Sequence, residues 1–304
     1  MINPLVTINI LSFNRRDDLR ITLTHVFEQE YKNVEVIVVD NASTDGTVEM
    51  VTTEYPSVQL LQLQNNIGIA GWNEGFRIAK GKYVLVLDDD SYPEKDAIAK
   101  TVEIAEKNDT CAIVACRIEV PGRIVETKAW EKKYYVNNFV GCGALIRRSI
   151  FGHVGVFSEL LFLYVHELEF SMRVLDKGFS IIYADPATVI HARGLANRVS
   201  DTNRKLDHRK LYYQSRNKII VLFLYFDGYR VTVRFVRMIA GLFIFGLRVG
   251  VFQPLWHGVR DGIKLLPEIL TMRRPLRKEI QRVYGYGSIL GGFFFADKNY
   301  GKLL

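Results

Sequence analysis

Short apolar runs alternate with amphipathic stretches over the first ninety residues. Val6-Thr-Ile-Asn-Ile-Leu, Glu35-Val-Ile-Val-Val-Asp40, Val58-Gln-Leu-Leu-Gln-Leu and Tyr83-Val-Leu-Val-Leu read as buried strands. Helices are predicted between them over 17–29, 46–54 and 71–80, the first capped by Asp17 or Asp18. This alternation predicts a parallel sheet with right-handed crossovers. Ligands of such sheets bind at the carboxyl ends of strands, by a topological switch point. Two of the four runs end in carboxylates, Asp40 and the Asp88-Asp89-Asp90 cluster.

The middle of the chain changes character. A helix near 94–107 and a strand over 111–118 lead to a looser region, 119–138, which holds Trp130. Gly141-Cys-Gly-Ala-Leu-Ile-Arg-Arg reads as a strand, and Phe162-Leu-Tyr-Val-His-Glu-Leu-Glu opens a helix running to Lys177. Gly178 stops that helix, and a strand follows over 179–184.

Three adjacent aspartates at a strand end repel one another and bury poorly without compensation. A divalent cation carrying a diphosphate supplies it, since Mg²⁺ takes one or two carboxylates together with phosphate oxygens. A solvated acidic turn is the alternative.

Three blocks, Val-Val-Asp-Asn-Ala-Ser-Thr-Asp-Gly-Thr, Asn-Asn-Ile-Gly-Ile-Ala-Gly-Trp-Asn-Glu-Gly and Tyr-Val-Leu-Val-Leu-Asp-Asp-Asp, follow one another in order. Gly-Cys-Gly-Ala-Leu-Ile-Arg-Arg and Phe-Leu-Tyr-Val-His-Glu-Leu-Glu-Phe-Ser-Met-Arg come after them. Over residues 4–220 this succession resembles family 2 glycosyltransferases of the GT-A fold. Tyr212-Tyr-Gln-Ser-Arg-Asn217 is similar to a block of the branch that contains bacterial rhamnosyltransferases. The fold so implied is α/β, a Rossmann-like and mostly parallel sheet, with a C-terminal helical membrane-associating region. The GT-A catalytic domain would span 1–215, its nucleotide-sugar half 1–118 and its acceptor half 119–215. A basic amphipathic helical region would span 216–304.

The resemblance also implies roles. Asp40 would accept from the N3–H of uracil or thymine, with Asn41, Gly68, Gly71 and Asn73 nearby. Asp90 would ligate Mg²⁺ or Mn²⁺, Asp88 would face the ribose or the metal, and Asp89 would add negative potential. His191 would be a further metal or diphosphate contact, with a structural role as the alternative. The base falls at Glu167, where the family shows Glu-Asp-x-Asp and this chain has His166-Glu167-Leu168-Glu169. A carboxylate at a helix start is favoured in its ionised form. Arg173, four residues after Glu169, reads as its ion-pair partner. Trp130, His166, Glu169, Arg173 and Arg216 complete the set as acceptor or support residues.

Charge divides the chain. Residues 200–304 carry 19 Lys+Arg against 7 Asp+Glu, whereas residues 1–199 carry 21 against 26. A basic, aromatic-rich tail on a mildly acidic body suits an anionic partner. Arg230, Arg234, Arg237 and Arg248 fall on one stripe of a largely apolar helix over 230–249. Burying two central arginines in a bilayer costs roughly 5–7 kcal/mol, against about 4–8 returned by the apolar residues, so a spanning helix is near balance at best. A helix lying in the interface keeps the apolar gain and sets the arginines among anionic headgroups. Packing on the catalytic domain or on a second copy is the alternative. No recognised nucleic-acid motif accompanies the basic tail.

Three cysteines without a paired spacing fit a reducing compartment, and no charged leader with an apolar core precedes the first strand. The expected protein is cytoplasmic and peripheral on the inner face of the cell membrane. Its expected reaction is inverting, metal-dependent transfer from a nucleotide sugar to a lipid-linked saccharide in bacterial surface polysaccharide synthesis. The branch resemblance puts dTDP-L-rhamnose first as donor. A UDP-hexose or UDP-galactofuranose donor is the near alternative, and a non-catalytic carbohydrate- or lipid-binding module the distant one. A sugar nucleotidyltransferase would need a glycine-rich phosphate loop after the first strand, and Ser12-Phe-Asn-Arg-Arg has none.

Overall fold

The computed structural model describes residues 3–121, 134–192 and 207–284. Strands β1 (Val6–Ser12), β2 (Val34–Asp40), β3 (Gln59–Gln62) and β4 (Tyr83–Asp88) lie parallel in the order β3-β2-β1-β4. Helices α1 (Arg16–Phe27), α2 (Thr47–Glu54) and α3 (Gly71–Ile78) make the crossovers. The register sets Ser12 opposite Asp40 and Leu11 opposite Asp88. Both carboxylate-bearing strand ends are therefore level, one on each side of β1, with their backbones roughly 10 Å apart.

The second half departs from simple alternation. The remaining strands are β5 (Ser91–Pro93), β6 (Cys111–Glu119), β7 (Tyr134–Tyr135), β8 (Ala144–Arg147) and β9 (Ser180–His191). β8 inserts antiparallel between β4 and β6, and β5 and β7 pair antiparallel with β9. The other six strands share one direction, so the sheet is mostly parallel with a reversed strand at its centre.

The two faces of each strand feed separate cores. Ile8, Ile10, Val38, Leu85 and Leu87 pack beneath α1, α2 and α4 (Ala97–Glu106). Val39, Val84, Val86 and Ile146 pack on the opposite face, with α3, α5 (Phe151–Val154) and α6 (His166–Asp176). Two expectations about local structure change. Asp17 and Asp18 lie inside the first turn of α1 and do not cap it; the Arg16 amide donates instead to Asp45 Oδ2 across the loops, at 2.9 Å. The last strand does not stop at residue 184 before Asp185-Pro186. Those residues fall in a register shift between Cys116 and Arg117, a bulge that tolerates proline, and the strand resumes to His191.

The tail consists of α7 (His208–Tyr225), α8 (Tyr229–Val249), α9 (Gln253–Lys264), α10 (Leu266–Thr271) and α11 (Lys278–Val283). Helix α7 runs unbroken through residues 215–216. Its Ile220, Leu222 and Tyr225 join the same core as the sheet, as do Ile269, Ile280 and Tyr284 further on. Helix α9 approaches α7 closely because Gly258 and Gly262 leave room; a Cβ at Gly258 would meet Ser215 Oγ at 2.1 Å.

Helix α8 packs one face on α7 through Phe235 and Met238. Arg234 belongs to that packed side: its guanidinium sits 4.0 Å from the centre of the Phe226 ring and donates to the Gln281 carbonyl at 2.9 Å. The predicted stripe of headgroup-facing arginines is thus broken by tertiary packing. The outward face is apolar, with Val236, Phe243 and Leu247 each about 60% exposed. Among the described residues no helix is long and apolar enough to cross a membrane.

Candidate active site

Asp88 closes β4, and Asp89-Asp90 turn the chain into β5. The Ser91 hydroxyl tightens this turn: it accepts from the Asp88 amide at 2.9 Å and donates to the Asp88 carbonyl at 3.1 Å. Pairing of β5 with the extended end of β9 sets Ser91 opposite His191, which places His191 Nε2 3.1 Å from Asp90 Oδ1. Arg15, on the loop after β1, comes from the other side. Its Nη1 lies 2.6 Å from Asp90 Oδ2 and 3.1 Å from Asp89 Oδ1. The second oxygen of Asp89 accepts from the Phe13 amide at 3.1 Å.

The three carboxylates consequently differ. Burial, together with the charges of Asp90 and Asp89, pushes Asp88 up to about 7. Burial raises Asp89 to about 6 against the pull of Arg15. Burial also opposes the charge on Asp90, but His191 and Arg15 hold it below the usual carboxylate range. His191 is raised in turn, chiefly by its contact with Asp90. Asp88 has no ion-pair partner among the described residues, and one of its oxygens, an imidazole nitrogen of His191 and Cys142 Sγ all lie within 4.8 Å of one another. A carboxyl reluctant to ionise alone, beside an imidazole and a second carboxylate, is a donor set that fits a divalent cation.

Glu167 stands in the first turn of α6 and is about a quarter exposed, with Oε1 accepting from the Gly141 amide at 3.4 Å. The next residue, Cys142, joins the Asp88–His191 group, so the lead-in to β8 touches that group and Glu167 at consecutive positions. His166 and Glu169 do not share the exposure of Glu167. The His166 ring is buried against Trp72 and Phe157, with Nδ1 3.2 Å from Glu167 Oε2, and burial holds its imidazole below the ordinary value. Glu169 is buried and takes two 2.7 Å bonds from Arg173, plus the Tyr225 hydroxyl. Arg173 also holds the Val156 carbonyl at 2.8 Å. This trio braces α6 against α7.

The entrance to α6 is strained. Tyr164 and Val165 have φ of 63° and 70°, left-handed values that cost side-chain-bearing residues about 1–3 kcal/mol each. That is why the helix starts at His166 and not at Phe162. Asn217 of α7 offsets the strain: fully buried, it donates to the carbonyls of Leu163 at 2.8 Å and Tyr164 at 3.0 Å. Arg216 donates to the Leu160 carbonyl at 2.9 Å and to Asn217 Oδ1 at 2.8 Å. Arg216 is thus a brace of this loop.

Asp40 is fully buried at the end of β2. Its Oδ2 accepts from the Ser43 amide at 3.0 Å, and its Oδ1 has no hydrogen-bond partner among the described residues. The neighbouring segment is held by contacts within the protein. Asn41 Oδ1 accepts from the Ile67 amide at 2.9 Å, and its Nδ2 donates to the Gly68 carbonyl at 3.0 Å. Asn73 is fully buried and exchanges both side-chain bonds with the Phe157 backbone, at 3.0 and 3.1 Å. Gly68, at φ +65°, lies against the loop before α6, where a Cβ would meet the Phe162 carbonyl at 2.0 Å. A Cβ at Gly71 would meet Leu11 Cδ1 at 2.4 Å. Trp130 lies outside the described residues.

Residues 7–158, half of the chain, match the family described as Glycosyl transferase family 2. The chain belongs to the Glycosyl transferase family 2. The chain is 34% identical over 105 residues to the Escherichia coli UDP-Glc:alpha-D-GlcNAc-diphosphoundecaprenol beta-1,3-glucosyltransferase WfaP. That match covers 34% of this chain and 41% of the relative; the chain spans less than half the length of the curated relatives it matches first. Two solved structures share its GT-A fold. The Pyrobaculum calidifontis mannosyltransferase PcManGT, in complex with GDP-Man and Mn²⁺, superposes with a TM-score of 0.57 at 20% identity, over 89% of this chain and 73% of that one. Staphylococcus aureus TarS 1–349 in complex with UDP-GlcNAc gives 0.61 at 16% identity, over 88% and 83%.

Two residues of the site carry no signal in the sequence. Arg15 was visible only as part of a loop lacking glycine; its value lies in standing opposite residues 74 and 75 positions away. Cys142 gave no spacing signal, because its partners come from β4 and β9.

Proposed function

We propose that this family 2 enzyme transfers a hexose from a uridine or thymidine diphosphate sugar to a lipid-linked saccharide, with inversion. One observation carries the reading: Gly141 and Cys142 tie the Glu167 carboxylate to the Asp88–His191 group at adjacent positions. Asp90, Asp88 and His191 would hold Mg²⁺ or Mn²⁺, which when bound offsets charge on the leaving diphosphate. Asp40 Oδ1, buried without a partner, suits the N3–H of a pyrimidine base. Glu167 takes the proton of the acceptor hydroxyl; the oxygen attacks the anomeric carbon as its bond to the nucleoside diphosphate breaks. Arg15 keeps Asp89 and Asp90 ionised until a cation and substrate arrive.

The donor and acceptor printed for the Escherichia coli relative, UDP-glucose and a diphosphoundecaprenol-linked sugar, support a UDP-hexose ahead of dTDP-L-rhamnose. The apolar outward face of α8, with Trp256 of α9 about two-thirds exposed, suits docking on the cytoplasmic leaflet where a lipid-linked acceptor would lie. Release of nucleoside diphosphate from a panel of UDP-, dTDP- and GDP-sugars, with and without Mn²⁺, tests the reading. Metal-dependent release confined to uridine and thymidine donors is expected. Release only from GDP-sugars, or from none, contradicts it.

A further inference from the structure

Cys142 is a buried cysteine in an unusual place. Cys111 and Cys116 pack within the apolar core under α1 and α4, as small hydrophobic residues do. Cys142 is 2% exposed yet belongs to none of the apolar clusters among the described residues. Its neighbours are an Asp88 oxygen and a His191 nitrogen, all three donor atoms within 4.8 Å of one another. Two metal–donor bonds of about 2.0–2.3 Å nearly bridge that span.

The backbone fixes this placement. Gly143 leaves little room for a side chain: a Cβ there would come 2.7 Å from Ile118 Cδ1 and 3.1 Å from Val189 Cβ. The lead-in to β8 therefore lies flat against β6 and β9, with the Cys116 amide donating to the Gly143 carbonyl at 3.0 Å. Cys142 is held at the junction of β4, β8 and β9 by strand packing.

We propose that Asp88, Cys142 and His191 form a thiophilic metal site, which takes Zn²⁺ or Co²⁺ through a Cys142 thiolate as well as through oxygen and nitrogen. The inference rests on the reading of this cleft as a cation site and adds a donor to it. Mg²⁺ prefers oxygen and leaves the thiol protonated. Zn²⁺ and Co²⁺ accept sulfur, and binding releases the thiol proton to solvent. Metal identity then decides whether sulfur joins the site. A soft ion seated on Cys142 occupies Asp88 and His191 and so antagonises the hard ion that a nucleotide sugar needs.

Titration of the metal-free full-length protein with Co²⁺ alone, read by absorption, tests this directly. A thiolate-to-Co²⁺ charge-transfer band in the near ultraviolet is expected for the parent and for Cys111→Ser and Cys116→Ser. The band is expected to vanish in Cys142→Ser and Cys142→Ala, with Zn²⁺ affinity lower by about tenfold or more, the scale of losses at metal sites. Absence of the band from the parent at saturating Co²⁺ overturns the proposal without needing any variant to fold. So does a band that survives in folded Cys142→Ser. If the parent lacks the band but releases nucleoside diphosphate with Mg²⁺, the sulfur inference fails and the transferase reading stands. If the band is present and no donor is ever turned over, the reverse holds.

Discussion

Arg15 Nη1 lies 2.6 Å from Asp90 Oδ2 while His191 Nε2 holds the other oxygen of the same carboxylate at 3.1 Å. Asp90 is therefore charged before any cation arrives, and the cost of crowding three carboxylates falls on Asp88. Removing Arg15 should transfer that cost to the whole turn. Arg15→Gln is expected to destabilise the metal-free protein by roughly 1–2 kcal/mol, a charged hydrogen-bond loss discounted for the partial exposure of Arg15. Thermal melts with and without Mn²⁺ check it: the deficit should shrink when the ion is present. An equal deficit in both would deny that Arg15 substitutes for cation charge.

Asp88 gives a pH dependence with a definite sign. Its folded-state pKa is raised to about 7, so between about 4 and 7 the folded protein binds more protons than the unfolded chain. This group's contribution to stability therefore falls as pH rises through that window. In EDTA, the parent should lose melting temperature across it relative to Asp88→Asn, and Mn²⁺ should reverse the loss above pH 7. Parallel pH profiles for the two proteins would contradict the assignment.

The brace at the entrance to α6 should matter for rate. Asn217→Ala removes two buried hydrogen bonds to the carbonyls of Leu163 and Tyr164, at a cost of about 2–3 kcal/mol. Glu167 would lose its fixed position while the Asp40 and Asp88 end stays intact. The expected signature is a fall in kcat of about tenfold or more, with KM for the nucleotide sugar nearly unchanged. A variant that folds and loses only donor affinity would place Asn217 elsewhere in the mechanism.

What the sequence made legible was local. Periodicity placed β1 to β4 and the helices between them, and carboxylates at strand ends marked Asp40 and Asp88–Asp90. What it hid was relational. Asn73 bonds the Phe157 backbone, Gly68 lies against Phe162 and Gly71 against Leu11, neighbours remote in sequence that only the folded chain brings together. The strand through Asp185-Pro186 was hidden because a bulge absorbs the proline, and without that extension His191 has no fixed place beside Asp90. Arg234 looked like a headgroup contact until α11 supplied the Gln281 carbonyl.

The outward face of α8 yields a surface prediction. Val236→Glu, Phe243→Glu and Leu247→Glu together leave the packed side untouched, and exposed substitutions shift stability by only about 0.5 kcal/mol each. Flotation with anionic liposomes should fall strongly in the triple variant while its melting temperature holds. Undiminished flotation would move the lipid contact away from α8.

The central claim is that Glu167 is the base of a metal-dependent sugar transfer. Glu167→Gln keeps the shape and removes the proton acceptor. Nucleoside diphosphate release in the presence of the acceptor and Mn²⁺ should fall by about 10²–10⁴-fold relative to the parent, with nucleotide binding retained. Equal, metal-independent release by both proteins would contradict it.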